Sequence, residues 1–269
     1  MLGWSINLFR VFRIRLAVHF SFLLLVAWAA WAGWTENPTE RWAGLTLDLA
    51  LIALLFTCVV LHELGHCLVA RHYGIGVSRI LLLPIGGMAE FDSIPRQPRR
   101  ELLISLAGPA VNFSIALLLL PFVPWPGEWN SGTIEFSAAG LADFALRLNL
   151  IMGAFNLLPV FPMDGGRVLR AILATRCPYL KATFWAATVG KAIALLVVLG
   201  AVWCAVFEKQ QYPLLVCLFL FIAIAGELEY RAVRRRELQK AQWESLIRNL
   251  YGPGNAGDAV PADYLHGPN

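Results

Sequence analysis

Residues 45–67 read LTLDLALIALLFTCVVLHELGHC, an apolar run of 23 residues whose ionisable side chains lie near its two ends. A helix rises about 1.5 Å per residue, so roughly 20 apolar residues cross the hydrocarbon core of a bilayer. The run therefore predicts a transmembrane helix that carries His62, Glu63 and His66 at one end.

The chain as a whole has the composition of a membrane protein. Of its 269 residues 58% are hydrophobic, and the 22 Gly residues raise the apolar share to about 66%, against roughly 45 to 50% in an average soluble domain. Charged residues make up only 15% and cluster between apolar runs. This pattern excludes a disordered chain and a soluble enzyme with one water-facing surface. The net charge of +4 gives no reason to expect nucleic-acid binding.

Further apolar runs lie on both sides of this one. The full set of candidate spans is Leu16–Trp34, Leu45–Cys67, Leu102–Val123, Ala138–Leu158, Phe184–Phe207 and Tyr212–Ala225. The last is short, and the third contains Gly108, Pro109 and Asn112. We predict an all-α polytopic membrane protein with about six transmembrane helices.

The basic residues predict the orientation of these spans. Of the 22 Lys and Arg residues, 18 fall on the side that holds both termini. Because positively charged loops stay in the cytoplasm, we expect cytoplasmic N- and C-termini. The prediction is a multi-pass protein of the cell membrane, in a prokaryotic inner membrane.

Two segments differ from simple spans or linkers. Val77–Asp92 is too short to cross as a helix and contains Pro84 and Gly86-Gly87, so it predicts one or two strands of a short membrane-associated β segment. Pro159–Gly166 (PVFPMDGG) follows an apolar helix. Irregular backbone at membrane depth needs protein or a water-filled cavity around it.

We divide the chain into a transmembrane core, residues 1–228, and a basic tail, residues 229–269. The tail carries an apolar stripe at helical spacing, which predicts an amphipathic helix on the anionic cytoplasmic leaflet. The basic cluster alone would equally suit a solvated stop after the last span. The stripe consists of Trp243, Leu246, Ile247, Leu250 and Tyr251.

His62, Glu63 and His66 form a His-Glu-x-x-His motif. Two imidazoles four residues apart share one helix face and can bind one zinc ion, while the intervening glutamate can act as a general base on water. About 0.4% of shuffled chains of this composition would contain the motif. The alternative is an interfacial helix end at which polar residues are harmless.

A catalytic zinc site uses three protein ligands. His19 lies early in the first span, and His72 lies about 9 Å along the helix from His66 on another face. Asp164, 98 residues after His66, is the stronger candidate because an isolated carboxylate in the broken segment needs a cation. It could instead cap the helix that runs from Arg167 onward.

Three stretches resemble motifs of the site-2 protease family of intramembrane zinc metalloproteases. They are HELGH at 62–66, AGPAVN at 107–112 and NLLPVFPMDGGR at 156–167, and the similarity covers most of residues 16–205. The resemblance implies that His62, His66 and Asp164 bind zinc and that Glu63 is the catalytic base. Met163 stands where the family more often has Leu.

The resemblance also implies substrate-binding residues. Asn112 and Asn156 match Asn positions of the family motifs, and Asn156 would help to hold the substrate. The strand with Gly86 and Gly87 resembles the segment proposed to pair with an unwound substrate. From the residues alone, each Asn could equally donate to a substrate or oxyanion, or bridge two helices.

The expected function is a zinc-dependent endopeptidase that cuts within or near the transmembrane segment of membrane-protein substrates, as in regulated intramembrane proteolysis. The chain resembles the minimal form of the family, without PDZ or CBS domains, so a regulatory protein or a homo-oligomer is a possible partner besides the lipid bilayer. The alternatives are a membrane metal transporter and a non-catalytic membrane scaffold.

Overall fold

The computed structural model describes residues 5–36, 41–84, 86–92, 96–123, 137–208, 210 and 212–255. The chain divides into two compact units, Met1–Leu157 and Leu158–Asn269. The first unit holds β1 (Ser5–Val11), β2 (Ile14–His19), α1 (Phe20–Glu36), α2 (Arg41–His72), β3 (Val77–Leu83), β4 (Gly86–Phe91), α3 (Pro98–Leu119) and α4 (Ala138–Asn156).

The four strands form one sheet in the order β1-β2-β3-β4. β2 and β3 run parallel, and the two outer pairs are antiparallel. Ile14, Leu16 and Val18 alternate along β2 and are buried in the same apolar cluster as Phe56 and Val59 of α2. The sheet is therefore anchored to the helix that carries the His-Glu-x-x-His motif, with β4 at one edge.

The predicted β segment is confirmed, since Val77–Asp92 contains β3 and β4. The predicted start of the first span is wrong, because Leu16 to His19 belong to β2 and the helix begins at Phe20. Ile14, Leu16 and Val18 lie at alternate positions of β2 and share one apolar cluster, which is a strand pattern. In the sequence, β2 runs directly into the apolar helix α1, so the strand and the helix read as one apolar run.

Five helices among the described residues are long and apolar enough to cross a membrane, which confirms the predicted fold class of a helical polytopic protein with a short β segment. They cover Arg41–His72, Pro98–Phe122, Ala138–Asn156, Tyr179–Phe207 and Pro213–Arg248. The helix of the first predicted span is shorter, with an apolar stretch of Phe20–Thr35. This helix is shorter than the predicted span because residues 16–19 belong to β2.

The second unit contains α5 (Asp164–Ala174), α6 (Tyr179–Trp203), which continues into a π-helical turn, and α7 (Pro213–Asn255). Arg170 of α5 is buried, and its guanidinium lies 2.6 Å from the Glu229 carboxylate of α7. The same guanidinium lies 5.1 Å from the ring centroid of Phe161 and 5.0 Å from that of Tyr179. These contacts hold the segment before α5 against α5 and α7.

α7 is a single helix of 43 residues, which corresponds to a length of about 64 Å. It runs without interruption through residues 228 and 229, so the first part of the tail continues the last span. Residues 256–269 and the side chains of Leu250 and Tyr251 lie outside the described part. The docking of the apolar stripe on the membrane stays a prediction.

Candidate metal centre

The last turns of α2 bring two imidazoles together. His62 and His66 are 5% and 6% exposed, and their Nε2 atoms lie 3.1 Å apart. The rings meet edge to face, with centroids 4.7 Å apart. The four-residue spacing on a helix therefore produces the convergent pair that the sequence predicts.

Each imidazole is held by its other nitrogen. His66 Nδ1 lies 2.6 Å from the backbone carbonyl of Ile104 on α3. A carbonyl can only accept, so His66 donates its Nδ1–H and presents an unprotonated Nε2 in its neutral form. His62 Nδ1 lies 2.5 Å from Oδ1 of Asn112, also on α3. Second partners of this kind fix the ring orientation of metal-binding histidines.

The donor geometry fits a zinc ion. Two imidazole nitrogens that are each about 2.0 to 2.1 Å from zinc at the tetrahedral angle lie about 3.3 Å apart. The observed separation of the two Nε2 atoms is 3.1 Å. Two lone pairs at this distance repel unless a cation or a proton lies between them, so the pair is arranged for a shared metal.

Two glycines allow α2 and α3 to approach this closely. A Cβ at Gly108 would lie 2.7 Å from His62 Cε1 and nearer still to His66 Nε2. A Cβ at Gly65 would lie 2.8 Å from the carbonyl oxygen of Ala107. Such approaches are too short for a real methyl group, so only glycine fits at these positions.

Glu63 lies beside β4. A Cβ at Gly87 would be 2.7 Å from Cγ of Glu63 and 2.9 Å from Cγ1 of Val59. Glycine therefore lets the strand pass directly over the glutamate. The structure thus brings together the predicted base and one residue of the predicted substrate strand, while Gly86 begins the strand with a positive φ of 141°.

An ion pair across the sheet fixes the register of β4. Arg79 of β3 pairs with Glu90 of β4 through two hydrogen bonds of 2.8 and 2.9 Å. The bonded guanidinium holds the pKa of the Glu90 carboxyl below its usual range. The Glu90 carboxylate is therefore charged at neutral pH and pairs with Arg79 on the strand that contains Gly87.

Asn112 is fully buried and joins three helices. Its Oδ1 faces His62 of α2, and its Nδ2 donates to Asn149 Oδ1 of α4 over 2.8 Å. Asn112 thus bridges helices, which is one of the two roles that the sequence allowed. Its contact with a substrate stays a prediction. Asn156 ends α4 and donates to the Met152 carbonyl over 3.0 Å. Its substrate role also stays a prediction.

Asp164 is the first residue of α5, in the second unit. The N-cap is Met163, which makes no side-chain cap hydrogen bond. Asp164 therefore occupies the first turn, where a carboxylate interacts favourably with the helix dipole. A Cβ at Gly166 would lie 2.7 Å from the backbone carbon of Val160, which explains the second glycine of the Asp-Gly-Gly sequence. Metal binding by Asp164 stays a prediction.

Sequence reasoning missed two contributors to the site. The Ile104 carbonyl has no sequence signal, since every residue has a carbonyl. Asn149 did have one: it is a polar residue in the middle of an apolar span, and such residues commonly mark functional sites. Gly108 was noted in the third predicted span and in the AGPAVN stretch, but its contact with the two histidines was not predicted.

Comparison with known proteins gives a consistent result. The family model described as peptidase family M50 matches residues 50–127 and 128–197. A zinc metalloprotease of Methanocaldococcus jannaschii is 39% identical over 249 residues, which cover 93% of this chain and 65% of that protein. Stage IV sporulation protein FB of Bacillus subtilis is 29% identical, over 70% of this chain and 61% of that protein.

A solved structure is also similar. The site-2 protease from Methanocaldococcus jannaschii matches with a TM-score of 0.57 and 38% identity, over 84% of this chain and 95% of that chain. A putative zinc metalloprotease of Mycobacterium tuberculosis is 27% identical, over 72% of this chain and 50% of that protein. The chain thus spans between half and two thirds of the length of these three curated relatives.

Proposed function

Because this chain belongs to peptidase family M50, we propose that it is a zinc-dependent endopeptidase that hydrolyses a peptide bond within or near the transmembrane segment of another membrane protein. The observation that carries the proposal is that the Nε2 atoms of His62 and His66 lie 3.1 Å apart. Glu63, which follows His62 in the sequence, lies under the edge strand β4. Nothing in the described residues or in the relatives' names favours a metal transporter or a scaffold.

The proposed mechanism assigns one role to each polar side chain. Zinc, when bound, supplies a Lewis acid that polarises the scissile carbonyl and lowers the pKa of the attacking water to about 7. Glu63 accepts a proton from that water and later delivers it to the leaving amine nitrogen. His62 and His66 hold the metal through Nε2. We assign the third ligand to Asp164, which is supported by its match to the family motif at residues 156–167.

The substrate must be extended before it can react. A helical backbone is shielded by its own hydrogen bonds, so a transmembrane substrate has to unwind locally. β4 has only β3 as a neighbour in the sheet of the described residues, and an edge strand offers unpaired backbone groups to an added strand. We assign Gly86 and Gly87 to this pairing, and the contact of Gly87 with Glu63 supports the assignment because it would bring the paired segment near the base.

Asn156 is proposed to hold the substrate backbone. Its amide has two N–H groups and one acceptor oxygen, and the described contact uses one N–H on the Met152 carbonyl. The remaining capacity suits a peptide group. For Asn112, which already contacts His62 and Asn149, a second amide N–H is the group that could reach a substrate or oxyanion.

The protein is a membrane protein, and we propose its topology from the charge pattern. A multi-pass arrangement with cytoplasmic termini places the basic residues of 71–100 and of the tail in the cytoplasm. The His-Glu-x-x-His end of α2 would then lie toward the cytoplasmic face of a prokaryotic inner membrane. The expected substrates are single-span membrane proteins, with a regulatory protein or a second copy of the chain as a further partner.

Glu63→Gln tests the proposal. Gln keeps the size of the side chain but cannot accept a proton, so the variant should remain folded and zinc-loaded and lose cleavage of a co-expressed single-span membrane protein. Glu244→Gln makes the same change on the exposed face of α7 and should cleave normally. Cleavage by Glu63→Gln at a rate near that of the wild type would remove Glu63 from the mechanism.

A further inference from the structure

A chain of hydrogen bonds leads from α4 to the metal-binding face of α2. Asn149 Nδ2 donates to the Ala145 carbonyl over 2.8 Å, Asn112 Nδ2 donates to Asn149 Oδ1 over 2.8 Å, and Asn112 Oδ1 faces His62 Nδ1 at 2.5 Å. Both asparagines are 0% exposed. Two consecutive carboxamides thus connect a backbone carbonyl to an imidazole.

The carbonyl at the far end determines the direction of every bond. The Ala145 oxygen can only accept, so the amide nitrogen of Asn149 must face it, and the Asn149 oxygen faces Asn112. Asn112 therefore turns its nitrogen toward Asn149 and its oxygen toward His62. A neutral His62 must then carry its proton on Nδ1, and its Nε2 is left as the unprotonated atom that faces His66.

We propose that Asn149 is a positioning residue which, through Asn112, selects the metal-binding tautomer of His62. The inference rests on the proposed function, because it assumes that His62 Nε2 binds zinc. Asn149 touches neither the metal nor the substrate and acts only by orienting another side chain. Its place within the fourth helix of the first unit makes α4 part of the metal site.

Without Asn149, the Asn112 amide loses the partner that orients it. Rotation by 180° would turn its N–H groups toward His62 Nδ1, which could then only accept. The proton of a neutral His62 would move to Nε2, and a protonated nitrogen cannot bind a metal. Because the site is buried, no bulk water is present to replace the missing acceptor.

Asn149→Leu is the primary test. Leu has a similar volume but no polar group, and loss of an outer partner of a metal-binding histidine typically lowers metal affinity by roughly 10- to 100-fold. We expect a loss of this size in zinc affinity, measured by chelator competition on the detergent-purified protein. The absorption spectrum of the cobalt-substituted protein should change as well, since it reports the ligand geometry. Asn149→Ser, too short to reach Asn112, is the second variant if Asn149→Leu does not fold.

Cys58→Ala is the matched control. Asn149 Nδ2 also donates to the Cys58 sulfur over 3.2 Å, so this change removes one hydrogen-bond partner of Asn149 and keeps its bonds to the Ala145 carbonyl and to Asn112. It should leave zinc affinity and the cobalt spectrum unchanged. A loss of affinity in Cys58→Ala equal to that in Asn149→Leu would indicate a packing effect and overturn the proposal.

The double variant Asn112→Asp with Asn149→Leu separates orientation from packing. Both oxygens of a carboxylate accept, so Asp at this position needs no partner to face His62 Nδ1 correctly. We expect the double variant to regain most of the zinc affinity that Asn149→Leu loses. Failure of the double variant to recover any affinity, or unchanged affinity in Asn149→Leu and Asn149→Ser, overturns the role of Asn149. Absence of zinc binding by the wild type would instead refute the metal site itself.

Discussion

Gly108 of α3 lies directly against the His66 ring of α2, closer than any residue with a Cβ could lie. A methyl group at this position would also approach His62 Cε1 to 2.7 Å. Since both rings are held at Nδ1, by Asn112 and the Ile104 carbonyl, neither can move aside without losing a hydrogen bond. The packing of two helices and the geometry of the metal site therefore depend on the same residue.

Gly108→Ala should lower zinc affinity and cleavage together. Ala favours a helix by about 1 kcal/mol over Gly, so secondary structure alone would predict a more stable protein. The methyl group must instead displace one or both imidazoles, and the 3.1 Å separation of their Nε2 atoms would change. Zinc content of the purified variant checks this expectation.

Gly200→Ala is the control for that experiment. Gly200 lies in α6, and a Cβ there would have no neighbour within 4 Å. The same substitution in a helix should leave zinc content at the wild-type level. Equal zinc content in Gly108→Ala and Gly200→Ala would show that the rings adjust without cost and that the close approach is incidental.

Gly87→Ala should reduce cleavage while zinc remains bound. The new Cβ would approach Cγ of Glu63 to 2.7 Å and Cγ1 of Val59 to 2.9 Å, so the strand or the glutamate must shift. The three atoms nearest to this Cβ all belong to Glu63 and Val59, and none belongs to a histidine. We expect kcat to fall by about 10-fold or more, since displacement of a catalytic group by about 1 Å can cost 100-fold. Loss of zinc in this variant would mean that β4 supports the metal site rather than the base.

The sequence predicts the metal-binding helix because its signal is local. Apolar length, the spacing of His62 and His66, and the intervening Glu63 all lie within residues 45–67. β3 and β4 are likewise marked by a short segment broken at Pro84 and Gly86. These elements depend on neighbours along the chain, which is the information that a single sequence contains.

The missed features depend on distant neighbours. β2 pairs in parallel with β3 across more than 60 residues, and its strand pattern merges into the following apolar helix. The contact between Gly108 and His66 arises only when α3 packs on α2. Asn149 acquires a role only through Asn112, on another helix. Such pairings come from tertiary packing and leave little trace in local propensity.

Asp164→Ala tests the third ligand. A carboxylate in the first turn of α5 contributes about 0.3 to 1 kcal/mol through the helix dipole, so a purely structural role predicts a slightly less stable protein with normal zinc content. A ligand role predicts loss of zinc and of cleavage. Asp143→Ala, which removes a carboxylate paired with Arg147 on α4, should keep zinc. Full zinc occupancy in Asp164→Ala would refute the assignment.

The tail can be shortened while three ion pairs of α7 in the second unit are kept. Truncation after Arg236 keeps Glu229, which pairs with Arg170, and Glu227, which pairs with Lys191 and Arg231. It removes the apolar stripe but keeps three neighbouring arginines, Arg234, Arg235 and Arg236. The truncated protein therefore separates the stripe from most of the basic cluster.

We expect the truncated protein to keep its fold and its zinc and to change its cleavage rate or substrate range. The reason is our prediction that the apolar stripe docks on the membrane or on the core and restricts substrate entry. Substitution of Trp243 and Leu246 by Ser in the untruncated chain keeps the length of α7 and should have the same effect. Cleavage is measured on a panel of single-span membrane proteins in liposomes that contain anionic lipid. If both variants cleave the same substrates at the wild-type rate, the tail serves only as an anchor, since its stripe would then have no influence on access to the site.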